Sequence, residues 1–139
     1  MQNDSKDTQA LDVDERRREV ALFRYGVIAA DVVMHEKPVG RGYVRLAPTT
    51  AHPWLPPGSH PDEIPAHEFH YSSLENLDPA TRFAYEVKRG HGADGAHDGI
   101  VYKNLLASYT HLRSAGNCNW AARFAGFARQ RKLLPTPTP

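Results

Sequence analysis

A chain of 139 residues, 40% apolar and 24% charged with a formal net charge of +1, holds enough apolar mass for one small core and too little length for two comfortable ones. Its near-neutral balance gives no field to attract nucleic acid or anionic lipid, and no apolar run approaches the ~18 residues of a membrane span. The opening MQNDSKDTQALDVDERRREV lacks the apolar segment of a signal peptide, and a single cysteine, Cys118, precludes an internal disulfide, so a cytoplasmic location is expected.

In chain order, residues 1–12 are polar, carry no apolar period and are expected to form a disordered tail. DERRREVALFRYGVIAADVV then predicts a helix over residues 13–34. Acids lead it, and Val20, Phe23, Val27 and Ile28 fall near one face. Arg16, Arg17, Arg18 and Arg24 stand among Asp12, Asp14, Glu15 and Glu19, which reads as a solvated helix face rather than a phosphate site. After Gly40 the period changes to two. Gly42–Leu46 alternates as a half-buried strand does, and a stiff proline-rich loop follows it.

Ala66–Tyr71, Phe83–Val87, Ile100–Tyr102 and Leu105–Tyr109 add strand-like stretches, giving a sheet of four to five strands. Between the second and third of them, RGHGADGAHDG reads as a hairpin loop. Asp94 and Asp98 are too few and wrongly spaced for a calcium loop. Asn119–Lys132 predicts a closing helix with Trp120, Phe124 and Phe127 on one face and Asn117 or Asn119 as its cap. Residues 133–139, rich in proline and threonine, form a second expected disordered tail.

Three places in this sequence can carry chemistry. His67-Glu68-Phe69-His70 superficially resembles a zinc motif, but its histidines are three apart on a strand and so point to opposite faces. No metal site is expected there. Glu68 and His70 share a face and can meet a polar ligand or each other, with a half-exposed strand edge as the plainer reading. His111, in Tyr109-Thr-His111, follows the apolar Leu105-Leu-Ala-Ser at the carboxyl end of a strand, where α/β sheets gather ligand and catalytic groups; imidazole is equally at home there as a structural hydrogen-bonding partner. Cys118 in SAGNCNWAA lies near a helix start but not in a strand–turn–helix elbow, and is read as structural rather than nucleophilic.

Taken in order, KPVGRGYVRL, AHEFHYSSLENLDP and FAYEVKRGHGADGAHDGIVYKNLLASYTHLR resemble successive blocks of the C-terminal amidotransferase domain of the cobyrinate a,c-diamide synthase family. The resemblance runs from Lys37 to Phe127 and implies an α/β fold of the class I glutamine amidotransferase type. The expected architecture is a partial domain over residues 35–132, with a short mixed sheet flanked by an N-terminal and a C-terminal helix. In the family a cysteine attacks the glutamine amide, a histidine activates it, and the released ammonia amidates a corrin carboxylate.

By that resemblance His111 matches the activating histidine. Glu68, His70, Tyr71, Tyr102, Lys103 and Asn104 are the expected substrate-binding residues, and would keep a ligand or interaction surface even without chemistry. ATP and magnesium serve a separate N-terminal domain of the family, so no cofactor is expected in this chain. It departs from the family in having no cysteine upstream of His111, and the 13–34 segment matches no family block. The expectation is a truncated domain linked to cobalamin biosynthesis, inactive alone. Its completion would come from a synthase-like chain that supplies the nucleophile and the ATP site, with glutamine or a corrin as ligand. The alternative is a non-enzymatic ligand- or partner-binding module derived from that domain.

Overall fold

The computed structural model describes residues 28–55, 62–115 and 118–133. Eight strands and one helix account for most of them: β1 (Asp31–Met34), β2 (Gly40–Pro48), β3 (Ile64–His70), β4 (Ser72–Glu75), β5 (Arg82–Arg89), β6 (His97–Tyr102), β7 (Leu105–Ala107), β8 (His111–Leu112) and α1 (Trp120–Leu133). Every strand pairing among them is antiparallel.

β1 and β4 form a two-stranded ribbon that prolongs the β2–β3 pair past a bend. The bend itself is held by backbone bonds from His35 N–H to the Tyr71 carbonyl, 2.8 Å, and from Val39 N–H to the His70 carbonyl, 2.9 Å. Across the ribbon, His35 Nε2 meets Ser73 Oγ at 2.8 Å, and the Asn76 amide donates to Asp31 Oδ2 at 2.7 Å.

The remaining strands form one sheet in the order β7-β6-β5-β2-β3-β8, which puts β7 and β8 on opposite edges. Laid flat, those edges would stand ~24 Å apart at ~4.8 Å per strand spacing. Residues 108–110 alone connect them, a link that reaches at most ~14 Å between the flanking α-carbons. The sheet must therefore curl until its two edges approach, as strand twist and coiling allow.

Inside the curl lies the core: Val44 and Leu46 from β2, Ile64 and Ala66 from β3, Ala84 and Tyr85 from β5, and Leu55 from the loop after β2, with Val87, Val101, Leu106, Leu112 and Cys118 packed against it. His52, also buried, meets the Tyr85 hydroxyl at 2.8 Å. Helix α1 begins where expected, and Asn119 supplies the cap, its Oδ1 accepting the Ala122 N–H at 3.4 Å. It meets the rest of the fold partly through Trp54, whose ring lies 5.2 Å from Phe124 and 5.6 Å from Phe127, and through a bond from the Ala121 N–H to Ser114 Oγ at 3.4 Å.

The α/β class expected from the sequence holds, with six strands in the main sheet rather than four to five. The additional strand, β8, has two residues and too little length to show a period. The helix expected over residues 13–34 requires a correction: residues 31–34 are strand β1, and residues 13–27 lie outside the described residues. Local helix propensity in this stretch yields to pairing with β4, forty residues away, which suits the two β-branched valines. The tail expected at residues 1–12 lies outside the described residues, as do residues 134–139, while Leu133 ends α1.

Candidate functional site

β3 alternates with a strict period of two. Ile64, Ala66, Glu68 and His70 are buried, and Pro65, His67 and Phe69 are exposed. Its neighbours carry the same division across the sheet, because opposed residues in an antiparallel pair project to one side. Tyr43 of β2 therefore stands opposite His67, and His67 opposite His111 of β8.

The three rings form a cross-strand ladder on the outer face. Tyr43 and His67 meet edge-on at 6.3 Å between centroids, and His67 and His111 are tilted at 6.4 Å. Phe69 and Tyr71 extend this surface with an edge-on contact at 5.6 Å. Tyr43 is 80% exposed and Phe69 53%. Among the described residues no carboxylate or hydrogen-bond partner meets the His111 imidazole, which leaves its nitrogens available to an incoming group.

Glu68 and His70 face the other way and are brought together, Glu68 Oε2 lying 3.3 Å from His70 Nε2. The Glu68 carboxylate also accepts the His91 N–H at 2.8 Å and the Gly92 N–H at 2.9 Å, so it pins the turn between β5 and β6. His70 Nδ1 donates to the Ser72 carbonyl at 2.8 Å, and the ring stacks on Tyr109 at 4.1 Å between centroids. The Tyr109 hydroxyl in turn meets Ser72 Oγ at 2.7 Å. Gly40 permits this assembly: a Cβ there would sit 2.1 Å from His70 Nε2 and 2.7 Å from Glu68 Cδ.

A second buried carboxylate, Asp98, reads in the sequence only as part of a glycine-rich loop. It is fully buried. Its Oδ1 accepts the Tyr109 N–H at 3.1 Å, and its Oδ2 accepts the Thr110 N–H at 2.9 Å and the Ser108 and Thr110 hydroxyls at 2.5 Å each. Nothing local in the sequence announces this, since the donors come ten to twelve positions later; the hydroxyls of Ser108 and Thr110, two apart, are the one available signal. Asp94 behaves as a turn residue. Its carboxylate caps Ala96 and His97, and those bonds hold its pKa below the ordinary value against an opposing effect of burial.

Of the expected site residues, His111 is outward-facing, Glu68 and His70 are buried behind the same strand, and Tyr71 lies at the bend leading into β4. Tyr102, Lys103 and Asn104 occupy the β6–β7 turn, where Lys103 adopts φ 52° and its ammonium lies 5.3 Å from the centre of the Tyr102 ring. That turn is at the end of β7 remote from the 108–110 link, so the structure does not gather these residues and His111 into one cluster. Tyr43, exposed opposite His67, is the member of the outer ladder that sequence reasoning missed; its alternation with buried Val44 and Leu46 was the available cue.

Cys118 packs against the core, and burial raises its thiol pKa, opposed by a bond from the Trp120 N–H and by the charge of Arg123. It stands on the inner side with Leu112, whereas His111 faces out. Among the described residues no cluster of three or more His, Cys, Asp or Glu side chains is arranged to hold a metal, and no helix is long and apolar enough to cross a membrane.

Comparison with known proteins gives the family context. Residues 8–117 match the CobB/CobQ-like glutamine amidotransferase domain, a stretch that takes in residues 13–34. A cobyrinate a,c-diamide synthase from Magnetococcus marinus is 45% identical over 112 residues, which are 81% of this chain and 23% of the relative. One from Halobacterium salinarum is 39% identical over 87 residues, 63% of this chain and 19% of the relative. The chain thus spans about a fifth to a quarter of the length of these relatives. The crystal structure of a candidate GMP synthase protein from Thermoplasma acidophilum superposes with a TM-score of 0.51 at 20% identity, covering 75% of this chain and 51% of that one, and bears on the fold alone. With most of its length matched and its strands folded as in an amidotransferase, the chain belongs to the CobB/CobQ-like glutamine amidotransferase domain family.

Proposed function

We propose that this chain is the histidine-bearing portion of a glutaminase unit in corrin amidation, with His111 as general base and acid and the thiol nucleophile supplied from outside these 139 residues. The observation that carries the reading is the division of the two faces. His111 lies on an exposed aromatic surface with its nitrogens open to an incoming group, while Cys118 is packed on the opposite side with its thiol pKa raised. A thiol in that position is a poor nucleophile and is turned away from the base.

In this scheme a docked cysteine gives its proton to His111 and attacks the side-chain carbonyl of glutamine. The C–N bond breaks, ammonia leaves with the proton returned by His111, and a thioester remains. Water, deprotonated by His111, then attacks the thioester, releasing glutamate and restoring the thiol. The net change is glutamine plus water to glutamate plus ammonia. ATP and magnesium would act on the corrin carboxylate elsewhere in the assembly, and no residue of this chain is assigned to them.

The test is ammonia release from glutamine, by the chain alone and by the chain mixed with a synthase-like polypeptide that ends before the segment equivalent to Lys37–Leu46. The expected result is no release alone, release on mixing, a loss of about 10²-fold or more with His111→Ala, and no change with Cys118→Ala. Release by the isolated chain that Cys118→Ala abolishes would make Cys118 the nucleophile and overturn the reading. Perturbed visible absorbance of an added corrin, with no ammonia formed in either assay, would replace catalysis by a binding role.

A further inference from the structure

We propose that Asp98 is the positioning residue that sets His111 on the outer face, acting through the 108–110 link; the catalytic meaning of this rests on the function proposed above. The link is the three-residue segment by which the chain passes from one edge of the sheet to the other, and it ends at His111. Each of its residues bonds to the single Asp98 carboxylate: Ser108 by its hydroxyl, Tyr109 by its N–H, and Thr110 by both.

β8 has two residues and, among the described residues, one neighbouring strand, β3, with which it forms two paired positions. So little pairing leaves the register of a strand weakly specified. A slip of one residue would turn His111 inward and Leu112 outward. What opposes the slip is the fixed link, held from below by Asp98 and from the side by Tyr109, which stacks on His70 and bonds to Ser72. Asp98 is anchored on β6, whose pairing with β5 is regular at four positions, and so transmits the rigid part of the sheet to the shortest strand.

The chemistry of the site makes the carboxylate specific. Four donors converge on two oxygens, and an amide of the same shape would turn its N–H₂ toward either the Tyr109 or the Thr110 N–H, two donors facing each other. Asp98→Asn is therefore an isosteric change that should release the link without emptying space in the core.

The experiment follows the ring signals of His111 and His67 in carbon–proton correlation spectra of the whole chain, assigned through His111→Gln and His67→Gln. In the wild type the two rings are expected to show a mutual nuclear Overhauser contact. Asp98→Asn is expected to abolish that contact and shift the His111 signal, while the buried His52 signal stays in place. Asn76→Ala, which removes a bond to Asp31 in the β1–β4 ribbon away from the link, is expected to leave His111 where it was.

Should Asp98→Asn fail to fold, Thr110→Val removes one donor and is expected to weaken the same contact, with Thr110→Ser, which keeps the hydroxyl, restoring it. A folded Asp98→Asn protein with the His67–His111 contact intact, or a Thr110→Val protein indistinguishable from wild type, would overturn the proposal. Because none of these readings requires glutamine, failure of ammonia release would sink the glutaminase reading and leave this one standing.

Discussion

The inner and outer faces of β3 invert the usual arrangement of a sheet. The buried side carries a carboxylate and an imidazole, Glu68 and His70, with every Glu68 oxygen engaged, while the solvent side carries Phe69 and His67 beside Tyr43. A buried charge is tolerated only when its hydrogen bonds are made, so the inner face is committed to one geometry. An exposed aromatic surface meets no such demand and is the mark of a face that receives something. This amidotransferase-family domain is therefore rigid where it holds its loops and open where His111 stands.

The contrast is sharpest at adjacent positions of one strand. Glu68→Ala leaves the His91 and Gly92 N–H groups and His70 without their acceptor, and is expected to cost about 3–5 kcal/mol in urea unfolding. A loss below about 1 kcal/mol would show that the inner network does not hold the β5–β6 turn.

Gly40→Ala probes the same network from β2. Its Cβ would overlap His70 and press on Glu68, for an expected loss of about 1–3 kcal/mol as the pair is displaced. Unchanged stability would mean that the pair can move aside freely.

Tyr85 tests the inner face by pH. Burial, with smaller effects from Cys118 and Asp98, raises its phenol above the ordinary 10.0. Since the folded state then holds the proton more tightly than the unfolded chain, the associated stability is complete below about pH 10 and is lost as pH rises beyond it. Tyr85→Phe is expected to flatten that alkaline decline and, at neutral pH, to cost about 1 kcal/mol for the lost bond to His52. An alkaline decline of the same steepness in Tyr85→Phe would assign it to other groups.

The smallest effects belong outside. Phe69→Ala and His111→Ala are each expected to change stability by no more than about 0.5 kcal/mol, while His111→Ala is expected to remove the ammonia release proposed above. A large loss of stability in either would make the outer face part of the core after all.

The sequence by itself determined the family, the positions of β2, β3, β5 and the hairpin turn between β5 and β6, and the capped C-terminal helix. These rest on periods of two and 3.6, on glycine-rich turns and on an Asn cap, all of them local signals. It also determined that His67 and His70 oppose each other, because alternation along a strand requires it. Residues 31–34 escaped it, since a strand whose partner lies forty residues away reads locally as the end of a helix. So did β8, whose two residues carry no period, and with it the curl of the sheet. Only the tertiary structure decided that Glu68 and His70 are inward anchors, and that Tyr43 joins His67 and His111 on the open face. It alone showed that Asp98 gathers the link before His111, because a buried carboxylate selects its donors by proximity in space, and nothing in their spacing along the chain records which side of a curled sheet they will reach.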